Sequence, residues 1–290
     1  MLAQNNIESL RSLSFLYSTS VIKDVLDTRS FVKIEDRINK HRSSILGSNA
    51  QIKFSSLLNT LYEQMTESYC NEYIYKNTIL QEKLLEKYGF ATTTLLSEFR
   101  IGKSIADLVL LNGEVKVFEI KTDLDSLKRL DSQLSDYQQF ADKVYIVTNQ
   151  KFIAQLLHLY SNSNYGIIEF DGKGLIERKE AQKSTNAFSY ETIFKLLRKD
   201  EYLKIVKLMH NFIPDVPNTL IFRECLKLVK EKTIVEFQKF AVEELKKRKI
   251  DEPEYLKNPK TPYELRFICY SLNLSEVQYH SLYELLDTTI

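Results

Sequence analysis

Apolar residues recur along this chain at two spacings, and the changes from one to the other mark out its elements. Residues 1–57 show short helical patterns broken by polar stretches at Asn5-Asn6 and Gly47-Ser48-Asn49, which predicts an accessory helical region. Residues 58–88 keep helical spacing and stop at Gly89, a natural residue just past a helix end, so they predict one long helix or two broken near 77. Spacing then turns strand-like. Residues 92–100, 104–111 and 114–121 are rich in β-branched and large apolar residues, and Asn112-Gly113 joins the last two as a two-residue hairpin turn. Leu127, Leu130, Leu134 and Tyr137 then fall three and four apart, predicting an amphipathic helix over 125–141 with Asp125 as its N-cap. Val144 to Thr148 reads as a short buried strand, and 165–170 with 175–179 as a hairpin through Asp171-Gly172-Lys173-Gly174.

From residue 186 onward the pattern is almost wholly helical, punctuated by Pro214 and Pro217 and then by Pro253, Pro259 and Pro262. Thr261-Pro262-Tyr263-Glu264 and Ser275-Glu276-Val277-Gln278 read as capping boxes that start helices over 262–272 and 276–288. Such a pair can enter a DNA groove, but Tyr263, Phe267, Tyr270, Tyr279 and Tyr283 favour burial against the rest of the chain or a second copy. The expectation is an α/β fold in three segments: 1–57 as the helical extension, 58–183 as a mixed sheet flanked by helices, and 184–290 as an all-α module that supports, dimerises or binds a partner protein.

Composition narrows the class. With 290 residues, 43% hydrophobic and 27% charged, the chain has ordinary globular usage, and no apolar run approaches a membrane span. Cys70, Cys225 and Cys269 lack paired spacing and the N-terminus lacks a signal-peptide pattern, which points to a reducing, cytoplasmic setting without a disulfide framework or zinc site. His41, His158, His210 and His280 have no metal spacing, and no phosphate-binding glycine loop, dinucleotide fingerprint or serine nucleophile elbow is present. A net charge of +1 means that any nucleic-acid contact must come from local charge. The densest basic stretch, 223–249 ending in Lys246-Lys247-Arg248-Lys249, reads first as a solvated helix face with cations at its C-terminal end.

The chemistry concentrates on the 104–121 hairpin. Asp107 stands on one strand, and Glu119 and Lys121 stand on the next, on one side because side chains alternate along a strand. Ile120 points the other way, into apolar packing. Two carboxylates suit Mg²⁺ or Mn²⁺, which take hard oxygen ligands and keep waters for a phosphate to displace; Lys121 could orient or help deprotonate the attacking water. Gln133 and Tyr137 lie four apart on the following helix, and Lys128 and Arg129 in its first turns could meet phosphates. Glu98 on the first strand could line the same cleft or simply end a strand, and Glu72 could be catalytic or a surface charge. The plain alternative for the hairpin charges is solvation on an exposed sheet face.

In these residues the chain resembles the PD-(D/E)xK nuclease superfamily. The resemblance implies a core of helix, three-strand meander, helix and strand, the restriction-endonuclease-like arrangement. It implies Asp107 and Glu119 as metal ligands with the Ile120 carbonyl as a third, Lys121 as the catalytic lysine, Glu72 as the acidic residue of the first helix, and Gln133 with Tyr137 as the Q-x-x-x-Y pair. More narrowly, 119–130 (EIKTDLDSLKRL) is similar to a poorly characterised bacterial and prophage-associated branch. The resemblance covers roughly residues 60 to 180 and departs from the pattern twice. Ala106 replaces the proline before Asp107, and Lys103 or Ser104 stands where that branch often has a phosphate-contacting arginine. A Mg²⁺- or Mn²⁺-dependent nuclease acting on DNA, in a phage-defence or prophage setting, is therefore the expectation. The alternative is a binding module for nucleic acid or protein that keeps the fold without catalysis.

Overall fold

The computed structural model describes the backbone of residues 2–47 and 51–290 and the side chains of those from Asn6 on. The chain is mixed α/β. It runs α1 (Leu2–Leu13), α2 (Thr19–Thr28), α3 (Val32–Leu46), α4 (Phe54–Ser68) and α5 (Glu72–Ile79), the last continuing as a π-helical segment over Leu80–Tyr88. The sheet follows as β1 (Thr94–Ile101), β2 (Ser104–Asn112), β3 (Glu114–Lys121), α6 (Leu130–Tyr137), β4 (Lys143–Thr148), α7 (Gln150–Leu159), β5 (Gly166–Phe170) and β6 (Leu175–Lys179). Helices α8 (Tyr190–Lys195), α9 (Lys199–His210), α10 (Asn218–Val229), α11 (Ile234–Leu245), α12 (Arg266–Leu272) and α13 (Glu276–Asp287) complete it.

These elements form two compact units that do not follow the three consecutive segments expected. One unit joins residues 1–87 and 250–290, with 172–174. Here Lys53 bridges Thr289, the Phe54 N–H donates to the Thr288 carbonyl, and Tyr17 stacks on Tyr73 with ring centroids 4.9 Å apart. The C-terminal pair α12 and α13 therefore belongs with the N-terminal helices. Phe267, Tyr270 and Tyr279 are buried as expected, while Tyr283 is half-buried and Tyr263 is 38% exposed. The Ser275 capping box forms, but Pro262 takes the cap position where Thr261 was expected, and the Thr261 hydroxyl bonds back to Tyr255 instead. Asn5-Asn6 does not break α1. The Gly47-Ser48-Asn49 break falls partly outside the described residues, Ser48 and Asn49 being beyond them. The break in 58–88 lies between Ser68 and Glu72 rather than near 77, where Tyr69 leaves helical backbone angles.

The other unit, 88–171 with 175–249, holds a six-stranded sheet in sequential order. Strands β1 to β3 form an antiparallel meander, β3, β4 and β5 are parallel, and β6 returns antiparallel. Parallel neighbours need crossovers, and α6 and α7 supply them. The sequence pattern predicted α6 but not α7. One sheet face, carrying Val109, Val115, Val117 and Ile146, shares its core with Leu134 and Tyr137 of α6 and with Ile193, Val206, Cys225 and Phe237 of α8 to α11. Residues 190–245 are thus a layer of this unit rather than part of a separate module, because their apolar stripes and that sheet face bury one another.

The hairpin register differs from that of a two-residue turn, which would pair Leu111 with Glu114. The ladder instead pairs Leu111 with Val115 and Asn112 with Glu114, leaving Gly113 alone at the tip with a left-handed φ of 65°. One residue of slip changes which side chains face one another. It makes Asp107 and Glu119 the next rung beyond Leu108 and Phe118.

Candidate metal and phosphodiester site

On β3 the odd positions Val115 and Val117 face α6, so Glu119 and Lys121 emerge on that face where the helix begins. Neither is a solvated charge: Glu119 is 1% exposed and Lys121 8%. Lys121 Nζ donates to Glu119 Oε1 at 2.6 Å and to Gln133 Oε1 at 3.1 Å, and Gln133 Nε2 donates to Glu119 Oε1 at 2.6 Å. A lysine can only donate, which fixes the orientation of the glutamine amide between ammonium and carboxylate. One turn on, Tyr137 lies 2.6 Å from Glu119 Oε2 and 2.8 Å from the Ile105 carbonyl. Its single proton must favour one, and the charge-assisted bond to the carboxylate is the stronger. Burial, and then the Glu119 charge, push the Tyr137 hydroxyl far above its ordinary pKa, so it remains a neutral donor. Helical spacing thus brings both side chains onto one carboxylate.

The second half of the site departs from regular geometry. The β2–β3 ladder ends at Leu108 and Phe118, and Asp107 Oδ2 accepts the Ile120 N–H at 2.6 Å. Glu98, on β1 between the paired residues Ser97 and Phe99, has a left-handed φ of 51°. Leu96 and Phe99 pack on the same core, as do Ala106 and Val109, although strict alternation would send each pair to opposite faces. Both strands therefore shift their pleat at the rung of Glu98 and Asp107. The carboxylates of these two residues lie within 4.8 Å of each other.

The other residues singled out from the sequence make contacts of their own. Ile120 is buried and uses its N–H on Asp107. Lys128 and Arg129 are exposed on a 3-10 turn, Leu127–Arg129, that precedes α6. That turn is capped by Ser126, whereas Asp125, the expected cap, accepts from the Thr122 N–H at 2.8 Å and its hydroxyl at 2.7 Å. Glu72 is exposed in the first turn of α5, in the other unit, and pairs with Lys76. Lys103 is exposed at the β1–β2 turn, where its backbone N–H and the Ser104 hydroxyl both donate to Asp136 Oδ2. Asp136 was not anticipated. The signal was its position just before Tyr137 together with Gly102, where a Cβ would come within 2.8 Å of Asp136 Oδ1. Lys246, Lys247 and Arg248 pair with Glu243, Glu244 and Glu201, and Lys249 donates to the Ala91 carbonyl.

The donors here are all hard oxygens. Glu119 accepts three hydrogen bonds, so of the roughly four lone-pair positions on a carboxylate about one stays open, on Oε2. Asp107 and Glu98 likewise offer only carboxylate oxygens, which suit a hard divalent cation better than any thiol- or imidazole-preferring metal.

A protein-family model described as "Bacteriophage P4 protein cII" matches residues 65–265. Protein cII of Enterobacteria phage P4 is 30% identical over 178 residues, a match covering 58% of this chain and 64% of that relative, just under two thirds of its length. Among solved structures, the SPO1766 protein of unknown function from Silicibacter pomeroyi is similar over 32% of this chain and 62% of its own, at 20% identity and a TM-score of 0.27.

Proposed function

The chain belongs to the bacteriophage P4 protein cII family, and from its site geometry we propose that it is a Mg²⁺- or Mn²⁺-dependent nuclease hydrolysing phosphodiester bonds in DNA, in the cytoplasm and in a phage or prophage setting. The observation that carries this reading is the hydrogen-bonded group of buried Glu119, Lys121 and Tyr137 with half-buried Gln133, next to Asp107 on the neighbouring strand. Charged groups this far out of water are costly unless paired, and here they converge where a sheet edge is distorted. The strand order, an antiparallel meander followed by a helix and a parallel strand, is also the one that the nuclease resemblance implies.

In this reading Asp107 and Glu119, with Glu98 next to Asp107, would hold the ion, which when bound would acidify a water and offset charge on the phosphate. Gln133 and Tyr137 fix the Glu119 carboxylate so that little reorganisation is needed. Lys121 Nζ, held between Glu119 and Gln133, presents a donor to the attacking water and to the non-bridging oxygens. Purified protein incubated with plasmid, linear DNA and RNA should cut DNA under Mg²⁺ or Mn²⁺ and stop under EDTA. No cleavage by folded protein at millimolar metal would sink the reading. One observation favours the rival, a nucleic-acid- or protein-binding module without catalysis: Lys121 is ion-paired to Glu119 at 2.6 Å, an arrangement that is stable without any metal.

A further inference from the structure

At the β1 edge of the sheet, α6 and α8 enclose a cleft of about 420 Å³ lined by Phe99, Arg100, Lys103, Asp136, Thr192 and Lys195, among others. Its floor is a chain of hydrogen bonds. The Thr192 hydroxyl bonds to Gln139 Oε1, Gln139 Nε2 donates to Asp136 Oδ1 at 3.3 Å, and the backbone of Lys103 and the hydroxyl of Ser104 occupy Asp136 Oδ2. The carboxylate is thus engaged by neutral donors. The cations make no such bonds: the side chains of Arg100, Lys103 and Lys195 are exposed and none makes a hydrogen bond or ion pair among the described residues. Glu191, one turn back from Lys195, is taken by Lys230. This is the reverse of the basic run at 246–249, which is bound within the chain. Three cations lining one concave surface, against a single acid, focus positive potential there.

The cleft is also placed for the substrate. Arg100 is two residues from Glu98 on β1, at most about 7 Å between α-carbons, and Asp136 adjoins Tyr137 on α6. Half-buried Phe99 adds aromatic surface at the cleft, of the kind that a base can rest on. Resting on the nuclease reading for its orientation toward the scissile bond, we infer that this cleft grips the phosphodiester backbone of a nucleic-acid strand, with Arg100, Lys103 and Lys195 neutralising its phosphates. Arg100 and Lys195 thereby join Lys103 as substrate contacts, and α8 becomes part of the binding surface.

The test is equilibrium binding of a fluorescent DNA oligonucleotide, as single strand and as duplex, in EDTA so that nothing is cut. With Arg100→Ala, Lys103→Ala and Lys195→Ala combined, affinity should fall at least about tenfold, and the slope of log affinity against log salt should flatten by about two for the single strand and nearer three for the duplex, as about three phosphate contacts are lost. Lys246→Ala, Lys247→Ala and Lys249→Ala combined, which also remove three positive charges, should leave the slope unchanged. An unchanged slope in the cleft variant for both DNA forms overturns the proposal, as does an equal flattening in the control, which would make the effect one of net charge. Cleavage by the unsubstituted protein is scored separately. Cleft-dependent binding without cleavage keeps the cleft and removes the nuclease reading; cleavage with cleft-independent binding does the opposite.

Discussion

The two halves of the site are built on opposite plans. Along β3 and α6 everything is regular: a straight strand alternates its faces, a helix places Gln133 and Tyr137 one turn apart, and each polar group finds a partner on the other element. Along β1 and β2 the acids sit where regularity fails, at the left-handed Glu98 and the pleat shift beside Asp107. The first plan holds a charge in place by satisfying it. The second holds two carboxylates within 4.8 Å of each other at a cost in backbone energy, an arrangement that suits a cation.

If that contrast reflects division of labour, the largest loss should come from the irregular half. Asp107→Ala should cut cleavage by about 10³, the scale seen when one preorganised electrostatic contact is removed from a transition state, and it should abolish Mn²⁺ binding measured by calorimetry. Metal-free DNA binding should persist. Retained Mn²⁺ affinity would mean that the distorted rung is not the metal site. Next, Lys121→Ala should lower turnover by about 10² with little change in affinity, as expected for a group acting mainly in the transition state. Equal loss of binding and unaltered turnover would make Lys121 a phosphate clamp.

The regular half should respond in stability more than in chemistry. Tyr137→Phe deletes the donor to a buried carboxylate, so unfolding free energy should fall by about 1–3 kcal/mol, read by urea melts. Combining it with Gln133→Ala should show coupling of about 0.5 kcal/mol or more, since both side chains act on Glu119. Strict additivity would show that α6 does not hold Glu119 as a unit.

The same contrast explains what could be read from the sequence. Strand and helix periodicity placed Glu119, Lys121, Gln133 and Tyr137 on facing surfaces because those elements obey their periods. The cues failed where conformation is set by tertiary context. Gly113 allowed a tighter turn than Asn112-Gly113 suggested, shifting the register by one. Asp125 closes a turn on Thr122 rather than capping α6, because its carboxylate finds a nearer donor. The helical stretch after 186 looked like a module of its own, since amphipathic stripes do not say what they cover; α8 to α11 cover the sheet, while α12 and α13 belong with the N-terminal helices. The pleat shift at Glu98 had no sequence cue at all, glutamate being an unusual occupant of a left-handed position.

That position offers the smallest but most specific test of the contrast. In ordinary strand geometry alanine is more stable than glycine, by roughly 0.5–1 kcal/mol, because glycine loses more conformational freedom on folding. At a left-handed residue the order should reverse, since a Cβ there costs about 1–2 kcal/mol. Glu98→Gly should therefore be more stable than Glu98→Ala by up to about 1.5 kcal/mol. The comparison isolates the backbone, because both substitutions remove the same carboxylate and whatever it contacts. Urea melts of the two variants, with midpoints compared at equal slope, are sufficient. If Glu98→Ala proves the more stable, β1 is an ordinary strand at this position and the two halves of the site do not differ in plan. If glycine wins while both variants lose Mn²⁺ binding, the distortion is retained for the carboxylate it presents and not for any contribution to folding.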